Sequence, residues 1–276
     1  MNILIVNIGF LGDSLFAASL CENLKKSGQY ERVDLLIGFP QTLEVLRYNP
    51  YIDNVYLAKS VGAYPTTNDI PADCDLNIYQ KIYSTEHSKF NERFLDTYNK
   101  NFGLKNLNYA LDLHLPKMEF EDLTTNPRIA FQMDWNQRSF QRGNNPRNPQ
   151  FIIDELQKHF DIYTVGASSH FEKDENKGEN FLIECGFIAQ CDLFFGFPGG
   201  MHWIAASLGV PTITTSEHMM RHFTQTGDFR GSEIEDFRTD FKLHASHHFT
   251  NVKHELLPPE ISDELIILHI IEQLSK

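Results

Sequence analysis

Two short glycine turns in this chain have residue types and spacing that could do chemistry, and they differ in one respect. The first is NIGFLGDSLF, where Gly9 and Gly12 come before Asp13. A helix N-terminus carries positive partial charge and attracts anions, so an acid placed there would repel a phosphate. The glycine spacing fits neither the dinucleotide fingerprint nor a P-loop. Asp13 is therefore either the N-cap of the next helix or a carboxylate that faces a ligand.

The second turn lies in CDLFFGFPGGMHWIAASLGVPTITT and carries no acid. At the predicted helix start, the backbone N–H groups near Gly199, Gly200 and Met201 are open to an anion, and His202 can add a hydrogen-bond donor. This turn therefore predicts a diphosphate site.

The elements around both turns alternate between strand-like and helix-like segments, which is typical of βαβ units and a parallel sheet. Apolar runs of strand length predict strands at 3–8, 33–38, around 55, 128–133, 161–167, 191–197 and 211–215. Helical periodicity predicts helices at 15–26, 151–160, 181–190, 201–209 and 262–274. Ligands of such sheets bind at the carboxyl ends of the strands, which is where both glycine turns fall.

The length of 276 residues suits two domains. We place the linker in MEFEDLTTNP, an acidic and polar stretch, and predict domains at 1–122 and 123–276. A net charge of −13 disfavours DNA and anionic membrane surfaces as partners. No secretory signal or transmembrane run is visible, and no cysteines pair as C-x-x-C, so we expect a cytoplasmic protein with reduced thiols.

The motifs resemble a known family. The stretch ILIVNIGFLGDSLFAASLCENLKK, followed by VDLLIG and NPYIDNVY, resembles the first half of the ADP-heptose:lipopolysaccharide heptosyltransferases, glycosyltransferase family 9. CDLFFGFPGGMHWIAASLGVP resembles that family's donor-binding motif. The resemblance implies an α/β protein with the GT-B fold, which has two Rossmann-like domains whose parallel sheets face a central cleft. The N-terminal domain would bind the acceptor and the C-terminal domain the nucleotide sugar, and the last helix is a candidate to pack back on the N-terminal domain.

The resemblance also implies roles for individual residues. Asp13 matches the family's proposed general base for an inverting, metal-independent transfer to a saccharide or glycolipid hydroxyl. No cofactor or metal is expected, because the nucleotide sugar is a substrate; whether it is a hexosyl, heptosyl or pentosyl donor stays open. The residues implied for donor binding are Gly199, Gly200, Met201 and His202, with Arg138 and Arg142 from the loop where the family has a basic residue.

Departures from the family fall at the second motif. Members usually carry an acid and a small hydroxyl residue before its glycine, and here Phe197 and Pro198 occupy those positions. The usual proline-glycine strand end is replaced by Met133-Asp134. The donor sugar and nucleotide base are therefore left open.

Other candidate residues are weaker. Gly12, Ser14, Asp112 and His114 are candidates for the acceptor site, the last two because they alternate on a predicted strand. His218 and His222 stand at i and i+4 but lack the H-E-x-x-H order, so no metal site is predicted. A solvated loop is the better interpretation of His244, His247, His248 and His254.

Two alternative functions stay open. A soluble transferase of the phage type could glycosylate a modified nucleobase hydroxyl in DNA, which the net charge of −13 disfavours. A relic of the GT-B fold could bind a nucleotide or a partner protein without catalysis, as the Phe197-Pro198 departure suggests. Retention of Asp13 argues against a relic, because a binding module gains nothing obvious from an acid beside its ligand.

Overall fold

The computed structural model describes residues 1–9, 11–59, 69–85, 100–104, 112–118, 120, 125–132, 147–166, 179–197, 199–215, 253–258 and 260–275, apart from the side chains of 179 and 180. By its contacts the chain divides into two compact units. The first contains Met1–Lys117 and the helical segment 179–185, and the other described residues form the second.

The first unit is built on a parallel sheet. Its described elements are β1 (Asn2–Asn7), α1 (Leu11–Lys26), β2 (Arg32–Ile37), α2 (Pro40–Leu46), β3 (Asn54–Leu57), a 3₁₀ turn at Leu76–Ile78 and β4 (Lys81–Ser84). The sheet order is β3-β2-β1-β4. Helix α1 packs against β1 and β2 and buries Leu20 and Leu24 completely. Alternate residues of β1 face opposite sides of the sheet, so Leu4 and Val6 join Leu36 in one apolar cluster.

The second unit is built on a five-stranded parallel sheet. Its strands are β5 (Arg128–Gln132), β6 (Asp161–Thr164), β7 (Leu193–Gly196), β8 (Thr212–Thr215) and β9 (His254–Leu257). The described helices of this half of the chain are α3 (Pro149–Leu156), α4 (Glu179–Ile188), α5 (Gly200–Ser207) and α6 (Asp263–Leu274). The sheet order is β6-β5-β7-β8-β9. Helix α5 packs on β7 and β8, while α3 packs on α6.

The core of the second unit explains why these segments form strands and helices. Phe131 and Phe195 lie on neighbouring strands with ring centroids 5.5 Å apart, and Ile266 of α6 belongs to the same buried cluster. Helix α6 begins after Ser262, whose hydroxyl accepts a hydrogen bond from the Leu265 N–H at 3.3 Å. Hydroxyl N-caps of this kind satisfy an N–H group that the helix leaves unpaired. The prediction of α/β units with parallel sheets is confirmed.

Some sequence-based expectations are wrong. Helix α1 begins at Leu11 and not at 15, because its first turn includes Gly12 and Asp13. Residues 112–118 form neither helix nor strand, although alternation predicted a strand there. Strands β4 and β9 were not predicted, since both are only four residues long and carry polar residues. Among the described helices, none combines the length and apolar character needed to cross a membrane.

Candidate functional site

The first glycine turn follows β1 at the carboxyl edge of the first sheet, and Gly9 leaves the space that the Asp13 side chain fills. A Cβ atom on residue 9 would lie 2.6 Å from Oδ2 of Asp13 and 2.9 Å from its Cβ and Cγ. These separations are shorter than van der Waals contact. Glycine at position 9 therefore allows the carboxylate to lie against the turn.

The side chain of Asn7 holds this turn from the β4 side. Its Oδ1 accepts a hydrogen bond from the Gly9 N–H at 3.1 Å, and its Nδ2 donates to Oγ1 of Thr85 at 2.7 Å. Asn7 and Thr85 are both buried. The sequence reasoning did not identify either residue. An asparagine between an apolar strand and a glycine turn is the signal that could have pointed to Asn7.

Strand β2 holds the same turn from the other side. The N–H of Gly38 donates to the Asn7 carbonyl at 3.1 Å. A Cβ atom on residue 38 would lie 2.5 Å from the carbonyl oxygen of Ile8, so glycine is required for this close approach. Residues 7–9 are thus fixed by contacts from both neighbouring strands.

Asp13 lies in the first turn of α1, so the N-cap alternative for this residue is wrong. The residue is half-buried, and the positive end of the helix stabilises an acid at this place. Gly12 beside it is also half-buried, and its acceptor role stays a prediction. Ser14 is fully buried, and this burial does not support the acceptor contact predicted for its side chain.

The second glycine turn leads from β7 into α5 at the carboxyl edge of the second sheet. Gly199 is the N-cap, and the first helical turn contains no acid. The N–H groups of Gly200, Met201 and His202 precede the first helical hydrogen bond, which runs from the Trp203 N–H to the Gly199 carbonyl at 3.1 Å. A Cβ atom on residue 199 would meet no described atom within 4 Å, so there is space beside the helix start.

The His202 side chain is fully buried, and its partners belong to the fold. Its Nε2 lies 3.0 Å from Nδ1 of His254 on β9, and that Nδ1 lies 2.6 Å from Oγ1 of Thr212 on β8. Burial, together with the neighbouring His254, holds the pKa of His202 well below its usual range. This side chain therefore ties α5 to the sheet, and the diphosphate contact predicted for it is not supported.

His254 corrects a second expectation. It lies on β9 and is half-buried, whereas a solvated loop was expected. Burial lowers the pKa of His254 to about 4, so both imidazoles of the pair are neutral at pH 7.

Phe197 explains one departure from the family motif. It is buried in the core of the second unit, in the cluster that contains Phe195 and Ile266. The position where the family carries an acid therefore contributes apolar packing here. Pro198 lies outside the described residues.

Gln132, at the carboxyl end of β5, is a polar residue of this edge that the sequence reasoning missed. A Cβ atom on Gly166 would lie 2.9 Å from its Nε2, and one on Gly196 would lie 2.4 Å from its carbonyl oxygen. Gly166 also has a φ of +85°, which favours glycine. Gly166 thus leaves room for the Gln132 carboxamide, and Gly196 allows β7 to approach the Gln132 carbonyl closely. Met133 and Asp134 lie outside the described residues.

The structure does not bring Asp112 and His114 together with Asp13. The His114 ring lies 5.9 Å from the ring of Tyr51, and Nζ of Lys26 lies 4.6 Å from the centre of that Tyr51 ring. Lys26 is the last residue of α1, whereas Asp13 is in its first turn, roughly 20 Å away along the helix axis. His114 therefore lies far from Asp13, and the acceptor role of Asp112 and His114 stays a prediction.

The remaining candidates fall mostly outside the described residues. These are Arg138, Arg142, His218, His222, His244, His247 and His248. Arg147 is described, and it binds the Ile261 carbonyl and Oδ1 of Asp263, the latter at 3.2 Å, so it anchors the start of α6. Within the described ranges, no group of His, Cys, Asp or Glu residues is arranged to hold a metal ion.

Comparison with known proteins gives matches among solved structures alone: no family profile and no curated protein matches the chain. It is similar to the family 9 glycosyl transferase of Veillonella parvula DSM 2008, with 12% identity, 99% of this chain and 96% of that chain covered, and a TM-score of 0.64. It is also similar to E. coli ADP-heptose lipopolysaccharide heptosyltransferase II, with 12% identity, 100% and 99% covered, and a TM-score of 0.55.

The chain has the fold of these glycosyltransferases. A third similar structure is E. coli heptosyltransferase WaaC with ADP-2-deoxy-2-fluoro heptose, with 10% identity, 99% and 100% covered, and a TM-score of 0.54. The GT-B fold that the sequence resemblance implies is confirmed over essentially the whole chain. At these identities the likeness is one of fold, and the activity must be argued from the site.

Proposed function

We propose that this protein is an inverting, metal-independent glycosyltransferase that moves a sugar from a nucleoside diphosphate to an acceptor hydroxyl, on a saccharide or glycolipid. One observation carries the proposal. In a chain with this fold, α1 begins with an acid cradled by a glycine, and α5 begins with glycines and no acid. Each helix start lies at the carboxyl edge of its own sheet, where ligands of such sheets bind.

Asp13 is the proposed general base. Its carboxylate would take the proton of the acceptor hydroxyl while that oxygen forms a bond to the anomeric carbon. The bond from the anomeric carbon to the diphosphate breaks in the same step, which inverts the configuration at that carbon. Asp13 is half-buried and thus partly exposed, as a residue that contacts an acceptor must be.

The start of α5 is the proposed site for the leaving diphosphate. Negative charge develops on the diphosphate as the glycosidic bond breaks, and prearranged N–H dipoles stabilise such charge. The N–H groups of Gly200, Met201 and His202 supply these dipoles without a metal ion. Arg138 and Arg142 are proposed to add positive charge from their loop.

The non-catalytic alternative has one observation in its favour. Phe197 packs in the core, so the acid that family members carry there is absent from the donor site. Binding of a nucleotide without turnover on a broad panel of acceptors would support this alternative.

A thermal-shift screen tests donor binding. Purified protein is heated with ADP, GDP, UDP, CDP and dTDP and their common sugar conjugates, each with and without EDTA. ADP is the first probe, because structural neighbours hold ADP or an ADP-heptose analogue. We expect one nucleotide to raise the melting temperature equally with and without EDTA, since a ligand of the folded state stabilises it. No shift with any nucleotide would contradict the donor site.

Substitution Asp13→Asn tests the base. With the donor found in that screen, we expect kcat for transfer to fall by about 10²- to 10⁴-fold, which is the usual contribution of a general base. The nucleotide-induced shift should be unchanged, because the amide keeps the shape of the side chain. Full transfer activity in this variant would remove Asp13 from the mechanism.

A further inference from the structure

The carboxylate of Asp13 lies against a turn that the side chains of Asn7 and Thr85 hold by hydrogen bonds. We propose that Asn7 and Thr85 are positioning residues, which hold the Gly9 turn in the one geometry that presents the Asp13 carboxylate. This inference rests on the proposed role of Asp13 as the base.

Thr85 sets the orientation of the Asn7 side chain. The Thr85 hydroxyl lies 3.2 Å from the Val6 carbonyl, which can only accept, so the single hydroxyl proton is used there. The hydroxyl oxygen must then accept from Nδ2 of Asn7, 2.7 Å away. Asn7 Oδ1 is thereby directed to the other side, where the Gly9 N–H donates to it at 3.1 Å.

Gly9 passes this constraint to Asp13. The position of its Cα decides how much room the Asp13 side chain has, since a Cβ there would fall 2.6 Å from Oδ2. The N–H of Gly9 is fixed by Asn7, and the preceding residue is fixed by its contact with Gly38. A shift of the turn toward α1 would therefore displace the Asp13 carboxylate. A shift away from α1 would remove the contact that limits its position.

The energetic cost of burying Asn7 and Thr85 suggests that these two residues order the turn before Asp13. Asn7 and Thr85 are 6% and 8% exposed, and buried polar groups destabilise a protein unless they are hydrogen-bonded. A leucine and a valine would fill similar volumes, but the Gly9 N–H would then lose its acceptor. The hydrogen bonds of Asn7 and Thr85 run between the two strand ends and the turn before Asp13, so they order that turn.

The test replaces the hydroxyl of Thr85 by a methyl group in Thr85→Val and restores a hydroxyl in Thr85→Ser. Thr42→Val is the matched control, because Thr42 is also a buried threonine of the first unit and its hydroxyl donates to the Phe39 carbonyl at 2.6 Å. Thr42→Val loses one hydrogen bond, and Thr85→Val loses two, the one to the Val6 carbonyl and the one from Nδ2 of Asn7. In urea unfolding, Thr85→Val should therefore lose at least as much stability as Thr42→Val.

The first readout needs no turnover. The protein is labelled with ¹³C at its aspartate carboxyl groups, and the Asp13 signal is assigned by its loss in Asp13→Asn. We expect its titration midpoint to move in Thr85→Val and to stay in place in Thr42→Val and Thr85→Ser. Hydrogen exchange of the peptide containing Gly9 should likewise become faster only in Thr85→Val.

The second readout uses the donor found by the thermal-shift screen. We expect kcat of Thr85→Val to fall at least about tenfold while the donor KM is unchanged, because small misplacements of a reacting group are costly. Thr85→Ser should recover most of the loss. Equal behaviour of Thr85→Val and Thr42→Val in the Asp13 titration overturns the proposal. Full activity of Asp13→Asn would instead remove the proposed base, a failure that the titration distinguishes.

Discussion

At the scale of single residues, the absence of a side chain at Gly9 determines where Asp13, the candidate base, can lie. We predict that Gly9→Ala displaces the Asp13 carboxylate, because the added methyl would lie 2.6 Å from Oδ2 and 2.9 Å from Cβ. Transfer should fall by about 10²-fold, the effect expected of a misplacement of about 1 Å. Measured on the same samples, the nucleotide-induced shift in melting temperature should be retained.

A double-mutant cycle tells whether this loss acts through Asp13. If it does, Gly9→Ala combined with Asp13→Asn should be no less active than Asp13→Asn alone, because the displaced group is already inactive. Additive losses would mean that the methyl group damages the site by another route.

The residue scale also shows the limit of sequence reasoning. Asp13 could be singled out because an acid at a glycine turn is unusual. The buried contact of His202 could not be predicted in this way. Its partner His254 lies 52 residues later in the sequence, on a strand that is too short for periodicity to reveal. The position of Gln132 likewise depends on Gly166 and Gly196, and that of Thr85 depends on the pairing of β4 with β1. These partners are distant in sequence.

At the scale of elements, the His202–His254 pair fixes α5 to the sheet and should make stability depend on pH. Burial lowers the pKa of His254 to about 4 in the folded protein, whereas an unfolded histidine titrates near 6.5. Between these values the unfolded state binds more protons, so stability is lost as the pH falls from about 6.5 to 4. His202, whose pKa is also lowered, acts in the same direction.

Urea unfolding at several pH values measures this effect. A shift of this size corresponds to at most about 3 kcal/mol for His254. The dependence should weaken in His254→Gln and stay intact in the control His159→Gln, since His159 is exposed. An unchanged dependence in His254→Gln would mean that other groups cause the acid sensitivity.

The anchor of α6 gives another prediction at this scale. Arg147 and Asp263 form a largely buried ion pair with N–O separation of 3.2 Å, and the Asn148 N–H donates to the same carboxylate at 2.9 Å. Arg147→Met leaves that carboxylate without its cation, and removing one partner of a buried pair costs about 3–5 kcal/mol. We expect a loss near the lower value in urea unfolding, with nucleotide affinity unchanged.

A control separates the ion pair from general damage at this place. Arg147→Met combined with Asp263→Asn should recover part of the loss, because the uncompensated charge is gone. A drop in nucleotide affinity in Arg147→Met alone would contradict the structural role and make Arg147 a candidate for donor binding.

Local patterns explain how much of these elements the sequence could predict. Seven strands were anticipated within a few residues, because their apolar runs fill buried positions such as Ile3, Leu35 and Phe195. The start of α1 was misplaced, since glycines usually end helices, yet Gly12 lies inside this one. Strand β9 was missed because its pairing with β8, and not its composition, makes it a strand.

For the whole molecule, the charge balance bears on the choice of acceptor. With 24 Lys and Arg against 37 Asp and Glu, the net charge of −13 opposes nonspecific binding of a polyanion. DNA-binding proteins hold nonspecific DNA at about 10⁻⁴ to 10⁻⁶ M through contacts to phosphates. We expect this protein to bind a labelled DNA duplex more weakly than that range in fluorescence anisotropy, at low and at physiological salt.

If the protein did bind DNA, Arg138 and Arg142 would be the first residues to test. Binding in that range that weakens steeply with salt would show local phosphate contacts strong enough to overcome the net charge. Arg138 and Arg142 are the cations proposed to make them, so the double variant Arg138→Ala/Arg142→Ala should then reduce both the affinity and the salt slope. In that case the DNA alternative would replace the saccharide or glycolipid acceptor, while Asp13 and the start of α5 would keep the roles proposed for them.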